Sequence, residues 1–509
     1  MRVAIRTDAS SKVGTGHVMR CLTLADELRQ KGAEVLFICR ELPGNIIKII
    51  QDKNYEVCNL LFSENEQYLK SDSKVISYEK WLGVSLEQDA EETYQILSKK
   101  RHIDWLIVDH YAMNESWESK QRSVVSNILV IDDLADRKHN CDLLLDQNYY
   151  EAMESRYVGK VSGNCRQLLG PEYVLLRKEF REVRQKMPTR NGSVHKVFVF
   201  FGGVDLSNMT EKVIDAIIGM KSGDEINVDV VIGSSNPHRE KIESLCSNTE
   251  NFNLHIQVEN MARMMADADL CIGSGGTVTW ERCCLGLPSI AWPVAENQKE
   301  LLKDSAKAGL VYSPDFENPE FEDIAMHIKA LFQNSFLRKH ISQRGLATID
   351  GRGAIRVANA MLKQDIELRP VAAEDKQKIF EWRNDISIRK YSRCPDKINF
   401  DQHSNWFERV FSDPDRHVLI GSIEDEEIGV LRFDISGDQA EISIYLVPVK
   451  QGFGYGAALV TAGEDWLKRE YPGVRSVIAE VLPENKASIK LFEISGYKLN
   501  GFQYLKSIS

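Results

Sequence analysis

Several short stretches of this 509-residue chain combine residue types that can do chemistry. The first is Asp8-Ala-Ser-Ser-Lys-Val-Gly14-Thr-Gly16-His17, a small-residue loop ending in an imidazole. A loop of this kind between a strand and a helix offers free backbone N–H groups and the positive end of a helix dipole, which suits an anion. A histidine there can also exchange a proton near neutral pH. It can equally cap or pack, and the stretch alone supports both readings. The second is Gly273-Ser-Gly-Gly276-Thr277-Val-Thr-Trp-Glu281. Its small residues let a phosphate approach the backbone, and Glu281, one turn into a helix, can accept both hydroxyls of a ribose. Asn297 and Gln298 follow after a further strand. The third is Gln451-Gly452-Phe453-Gly454-Tyr455-Gly456, a glycine loop fit to cradle a pyrophosphate, with Asn485-Lys-Ala-Ser488 downstream.

Each stretch needs a strand before it and a helix after it. Val3–Ile5, Val35–Cys39, Trp105–Val108 and Ile128–Ile131 read as buried strands alternating with helical stretches such as Gln88–Lys100. Ligands of such sheets sit past the strands' carboxyl ends. That makes Asp8 through His17, Asp109-His110-Tyr111 and Asp132-Asp133 positions of interest, the aspartates after the later strands being read as structural by default. Asp132 and Asp133 are neighbours on an extended chain, point opposite ways and make a poor acid/base couple. A charged, turn-rich stretch at 181–195 is expected to link two domains. A second alternating unit follows, with strands at Lys196–Phe201, Val228–Ile232, Leu254–Val258 and Pro288–Pro293; residues 327–364 close it as helices broken at Gly351-Arg-Gly353. The organisation expected is 1–190, 191–364 and 365–509.

Composition narrows the function classes. A net charge of −11 argues against a general nucleic-acid or membrane-surface binder. No signal-peptide pattern opens the chain, and no apolar run approaches the ~20 residues of a membrane span. Ten scattered cysteines without C-x-x-C fit reduced thiols in the cytoplasm. Eleven histidines without H-x-x-x-H spacing imply no metal.

The two tandem α/β units, with Gly-Gly-Thr…Glu281 and Asn297-Gln298 in the second, resemble the GT-B fold of nucleotide-sugar enzymes. Arg6-Thr-Asp8…Gly14-Thr-Gly-His17…Arg20-Cys-Leu, Asp132-Asp-Leu-Ala-Asp-Arg-Lys-His, Cys141–Asn148 and Phe200-Phe-Gly-Gly-Val-Asp205 resemble one branch, the UDP-sugar hydrolases of pseudaminic acid biosynthesis. The resemblance implies that His17 is the active-site residue and that UDP, bound between the two units near Gly276 and Thr277, is the leaving group. It implies that Asp8, Gly14 and Gly16 bind the substrate at its reacting end, with Gly276, Thr277, Glu281, Asn297 and Gln298 on the UDP side, and that no metal is required. The substrate implied is UDP-2,4-diacetamido-2,4,6-trideoxy-β-L-altropyranose.

Residues 366–509 resemble the GNAT acetyltransferases, on the strength of Gln451-x-x-Gly454-x-Gly456 and Asn485…Tyr497 in that order. Acetyl-CoA as co-substrate follows from this resemblance, with 451–456, Asn485 and Ser488 holding it. Expected here are a mixed, largely antiparallel sheet, a hairpin turning at 424–426 and a helix opened by the stretch 450–459. Phe492 stands where many members have the tyrosine that protonates the leaving thiolate. Either Tyr497, Tyr445 or a water then serves, or the thiolate leaves unassisted; Glu441 is the candidate base with Glu480 as competitor, and His403 packs or binds substrate. The combined reading is a bifunctional cytoplasmic enzyme acting on a UDP-linked amino sugar, with no nucleic-acid or membrane partner. The alternatives are a GT-B glycosyltransferase joined to an acetyltransferase of another amine, such as a protein N-terminus, and a non-catalytic nucleotide-sugar sensor.

Overall fold

Among the described residues, nineteen strands sort into three sheets. The computed structural model describes residues 1–62, 78–188, 190, 192–220, 226–314, 321–362, 366–392, 395–423, 426–500 and 503–508. The expected turn at 424–425 and the junction at 363–365 lie outside the described residues. The chain divides into two compact units, Met1–Ala358 and Asn359–Ser509.

The first unit contains two parallel sheets. In one, β1 (Arg2–Thr7), β2 (Glu34–Arg40), β3 (Glu56–Leu60), β4 (Ile103–Asp109), β5 (Val125–Ile131), β6 (Leu143–Asp146) and β7 (Arg166–Leu169) lie in the order 3-2-1-4-5-6-7. Their apolar runs are buried on both faces, as helices packed on either side of a parallel sheet require. In the other, β8 (Lys196–Phe200), β9 (Asn227–Ile232), β10 (Phe252–Ile256), β11 (Leu270–Ser274) and β12 (Ser289–Trp292) lie in the order 10-9-8-11-12. Both are open parallel sheets with the crossover strand orders of Rossmann-type α/β units. β10 ends two residues earlier than the sequence suggests, because Gln257 takes a positive φ of 55° and turns the chain.

The stretch expected as a linker begins inside a helix, Lys178–Lys186. Phe180, Val183 and Met187 recur at helical spacing and pack into the core of the second half, with Trp280 and Leu285. Solvated charges on the other face gave this amphipathic helix its linker-like composition.

In the second unit, β13 (Glu367–Pro370), β14 (Arg416–Ile423), β15 (Glu426–Ser436), β16 (Gln439–Leu446), β17 (Ser476–Glu480), β18 (Lys498–Asn500) and β19 (Gln503–Ser507) form one sheet in the order 13-14-15-16-17-19-18. All pairs are antiparallel except β16 with β17. That parallel pair is held across three residue pairs, Gln439 with Ser476 through Glu441 with Ile478. β16 runs on to Leu446, so the two strands part immediately after Glu441.

Candidate functional site

In the first unit β1 and β4 are neighbours, and the segments leaving their carboxyl ends hold the site. Gly14 has a φ of +78° and its N–H bonds the Ser10 carbonyl at 2.8 Å, closing the loop. A Cβ at Gly14 or Gly16 would meet open space, so the loop faces a void rather than packed protein. The helix Gly16–Gln30 then starts, with His17 in its first turn.

His17 Nδ1 lies 2.6 Å from Asp109 Oδ1, at the end of β4. Arg20, one turn further along the helix, grips the same carboxylate with Nε at 2.6 Å and Nη2 at 2.7 Å. Its Nη1 reaches Asp133 Oδ2 at 3.2 Å, past the end of β5. Asp109 is fully buried, which opposes ionisation, yet Arg20 and His17 overcome this and hold its carboxyl well below the usual range. An ionised Asp109 accepts a hydrogen bond, so Nδ1 carries the imidazole proton. In the neutral imidazole the lone pair is then on Nε2, on the opposite edge of the ring. Tyr111 meets that ring edge-on at 4.6 Å, and Trp81 and Tyr78 complete an aromatic wall. Behind Asp133, burial and then the neighbouring negative charge push the Asp146 carboxyl up to about 8.

The residues expected at this site divide. His17, Gly14 and Gly16 lie together. Asp8 does not join them: it is wholly buried, pairs with Arg6 at 2.7 Å and accepts the Arg40 N–H at 2.7 Å. Both contacts use Oδ1; Oδ2 is buried with no hydrogen-bond partner among the described residues, and His110 Nε2 lies 3.7 Å from it. Asp132 likewise pairs with an arginine, Arg137 at 2.9 Å, and accepts the Ala135 N–H. Of the aspartates that sequence reasoning left as structural by default, Asp109 bonds the imidazole itself, and Asp133 bonds Arg20. Arg20 was passed over as a site residue, although its i,i+3 spacing from His17 was a readable sign.

In the second half, Gly276 turns with a φ of +84° before the short helix Val278–Cys284. Arg282 is buried and ties its guanidinium to the Ser274 carbonyl at 2.8 Å, fixing the loop from below. Gln298 accepts the Val294 N–H at 3.0 Å and brings its Nε2 beside Gly276. Asn297 is exposed, and Thr277 is half-buried. Glu281 lies 3.6 Å from Arg177. Burial raises its carboxyl above the ordinary value, and Arg177 offsets part of that. Trp280 Nε1 donates to Asn148 Oδ1 at 2.9 Å, joining the second half to the segment after β6, and Asn148 Nδ2 in turn donates to Asp133 Oδ2 at 3.3 Å.

In the second unit, Gly452 and Gly454 both have positive φ, 78° and 84°, and Gly454 starts the helix Tyr455–Glu470. Gln451 Nε2 donates to Ser387 Oγ at 3.2 Å, Phe453 and Tyr455 stack at 6.2 Å, and Gly456 packs under Leu491. Asn485 accepts the Ser488 N–H at 3.1 Å and caps the helix Lys486–Ile494. That pair makes a helix start, a role the sequence pattern did not separate from cofactor contact. Glu441 stands at the last bonded pair before β16 and β17 part.

Tyr497 is buried. Its ring packs on Phe492 at 4.9 Å and its hydroxyl lies beside Glu464. Glu464 is ten residues beyond Gly454, about 15 Å along the helix axis. Tyr445 is the tyrosine on β16 itself; its hydroxyl is buried with no hydrogen-bond partner among the described residues, and Arg383 is the nearby charge. His403 packs between Phe380, Trp406 and Phe407, its Nε2 2.9 Å from the Lys376 carbonyl.

Residues 197–335 match the glycosyltransferase family 28 C-terminal domain, and residues 365–498 match the acetyltransferase (GNAT) domain. The chain is 27% identical to the UDP-2,4-diacetamido-2,4,6-trideoxy-beta-L-altropyranose hydrolase of Campylobacter jejuni, over 61% of this chain and 97% of that protein. The chain is a homologue of that hydrolase with a GNAT domain fused behind it. An uncharacterised protein of Methanocaldococcus jannaschii is 24% identical over 98% of this chain and 97% of its own length. The crystal structure of MurG from Acinetobacter baumannii aligns with 71% of this chain and 98% of its own, at 13% identity and a TM-score of 0.47. The hydrolase-like unit thus carries the His17 site, and the GNAT unit carries the 451–456 loop. Among the described residues no cluster of three or more acidic, histidine or cysteine side chains could hold a metal, and no helix is long and apolar enough to cross a membrane.

Proposed function

We propose that the chain carries out two reactions on one UDP-linked amino sugar: N-acetylation of its free amine by acetyl-CoA, and hydrolysis of the acetylated product to free sugar and UDP. The observation that carries the hydrolytic half is the Asp109–His17 hydrogen bond. It fixes the tautomer that leaves Nε2 as a base, on a loop that faces open space. Water attacks the anomeric carbon, the carbon–oxygen bond to the diphosphate breaks, and His17 Nε2 accepts the water proton as UDP departs. The amides of Gly276 and Thr277 receive the diphosphate, with Glu281 placed for the ribose. The relative from Campylobacter jejuni, named for this hydrolysis, supports the substrate class.

In the GNAT unit the parting of β16 from β17 leaves backbone groups of β16 for the amides of the pantetheine arm, and the 451–456 loop takes the pyrophosphate. The amine attacks the thioester carbonyl, the carbon–sulfur bond breaks, and coenzyme A leaves. Glu441, at the point where the strands part, takes the amine proton; Tyr445 is the protein group on the same strand able to return one to the thiolate.

Proton NMR of the UDP-linked 4-amino sugar with acetyl-CoA and the full-length protein tests both steps in one tube. An N-acetyl signal followed by free sugar and UDP is expected. Release of UDP only when a second sugar or other acceptor is added would overturn hydrolysis in favour of glycosyl transfer. Acetylation of a peptide N-terminus in preference to the sugar would overturn the acceptor assignment.

A further inference from the structure

A cavity of about 470 Å³ opens at the foot of the second parallel sheet, lined by Arg184, Arg190, Asp269, Arg338, Lys339 and Gln343 among others. Asp269 immediately precedes β11, whereas the Gly276 turn follows its far end. The cavity and the proposed nucleotide site are therefore at opposite ends of that strand. Four cations here face one carboxylate. That carboxylate accepts the backbone N–H groups of His195 and Lys196, at 2.9 and 3.0 Å.

The guanidinium groups are locked. Arg184 donates to the carbonyls of Cys284, Leu346 and Ile349 at 2.6 to 2.9 Å. Arg190 donates to Met265 and Ala268, and Arg338 to Leu331, Phe332 and Gly192. Carbonyls at helix ends orient these groups but leave their full charges in place. Among the described residues, none of the four cations has a carboxylate within salt-bridge distance. Arg190 Nε is buried without an acceptor. Burial pushes Arg190 down to about 10, with Asp269 offsetting only part of it. Buried charges in proteins are ordinarily paired, and the missing counter-charge is what a ligand would supply. The volume suits a small molecule.

We infer that this cavity binds a small phosphorylated anion of two or more negative charges, at a site separate from that of the UDP-sugar. Arg184 and Arg190 come from the connection between the two halves, and Arg338 and Lys339 from the helix Ser335–Thr348. The bound anion ties that connection to that helix.

The probe is inorganic pyrophosphate, titrated calorimetrically into the full-length protein in phosphate-free buffer with UDP at saturation. Lys339 and Gln343 are exposed and lie one turn apart on the same helix, so Lys339→Glu and Gln343→Glu alter the cavity mouth without disturbing the carbonyl-bound arginines. Pyrophosphate binding that persists in UDP and weakens at least tenfold in both variants, at unchanged melting temperature, is the expected result. No binding, complete displacement by UDP, or equal affinity in wild type and variants overturns the inference. Because the variants lie outside the UDP loop, the outcome is read independently of whether UDP-sugar hydrolysis is observed.

Discussion

His17 and Asp109 meet at 2.6 Å, and Arg20 holds the same carboxylate from its other side with two bonds of 2.6 and 2.7 Å. Asp109 is thus a positioning residue: it acts on the reaction through the imidazole. Asp109→Asn keeps the shape but removes the charge that selects the Nδ1–H tautomer. Its kcat for UDP release is expected to fall by about 10²-fold or more, with UDP affinity changing by less than about threefold. A steady-state comparison with equilibrium UDP binding checks this, and a parallel loss of affinity would assign Asp109 to binding instead.

His139 offers a separate test by pH. It is buried, which disfavours its charge, but Asp132 and Glu118 outweigh burial and raise it to about 9. A raised folded value means the stabilisation is complete below the unfolded value near ~6.5 and is lost as pH rises through about 9. The contribution is on the order of 3 kcal/mol. Denaturant unfolding of the first unit between pH 6 and 10 is expected to show this alkaline decline, and His139→Asn to flatten it.

The acid limb runs the other way. Asp89, Asp109 and Asp132 all sit well below the carboxylate range despite burial, through Arg6 and Arg40, Arg20, and His139 with Arg137 respectively. Their stabilisation is present above the unfolded value near ~4 and is lost as pH falls below it. Melting temperature is expected to hold level from about pH 5 to 6 and to drop steeply below about pH 4.

Two tyrosines in the GNAT unit separate by position. Tyr497→Phe removes a hydroxyl buried beside Glu464, and thiol release from acetyl-CoA is expected to stay within about twofold. Tyr445→Phe removes the buried hydroxyl on β16, and the same assay is expected to fall by about tenfold or more. The reverse ranking would return the donor role to Tyr497.

Gly276→Ala places a side chain at a φ of +84°, at a cost of about 1–2 kcal/mol. Only Gln298 Nε2 approaches the added carbon, at 3.5 Å. UDP affinity is expected to fall several-fold while acetyl transfer is unchanged, since Gly276 and the 451–456 loop belong to different units.

The strands, the glycine loops and the helices after them were legible because period, burial and turn residues are local signals. His17, Gly276 and Gly454 stand where those signals place them. Asp109 was not legible as the partner of His17, nor Asp133 as that of Arg20: their nearness follows from β1 lying beside β4 and β4 beside β5, and strand order is a non-local property. Asp8 shows a local pairing that composition did not reveal: it follows the right strand, but Arg6, two residues earlier, is buried with it and pairs with its Oδ1. Asn485 and Tyr497 show that a motif marks a backbone position before it marks a role. The charged run at 181–186 read as a linker because one buried Phe180 and two partly buried neighbours carry its whole apolar face.

The His17–Asp109 pair spans 92 residues of sequence, and no local segment can form it. Closing so long a loop costs entropy before any contact repays it. The reacting imidazole is therefore armed only once β4 has inserted beside β1. Nascent chains released before β4 is complete carry the glycine loop and the histidine but not the carboxylate that selects its tautomer. Catalytic competence thus serves as a late clock for the folding of this half, readable in a refolding experiment as activity that lags the recovery of helical signal.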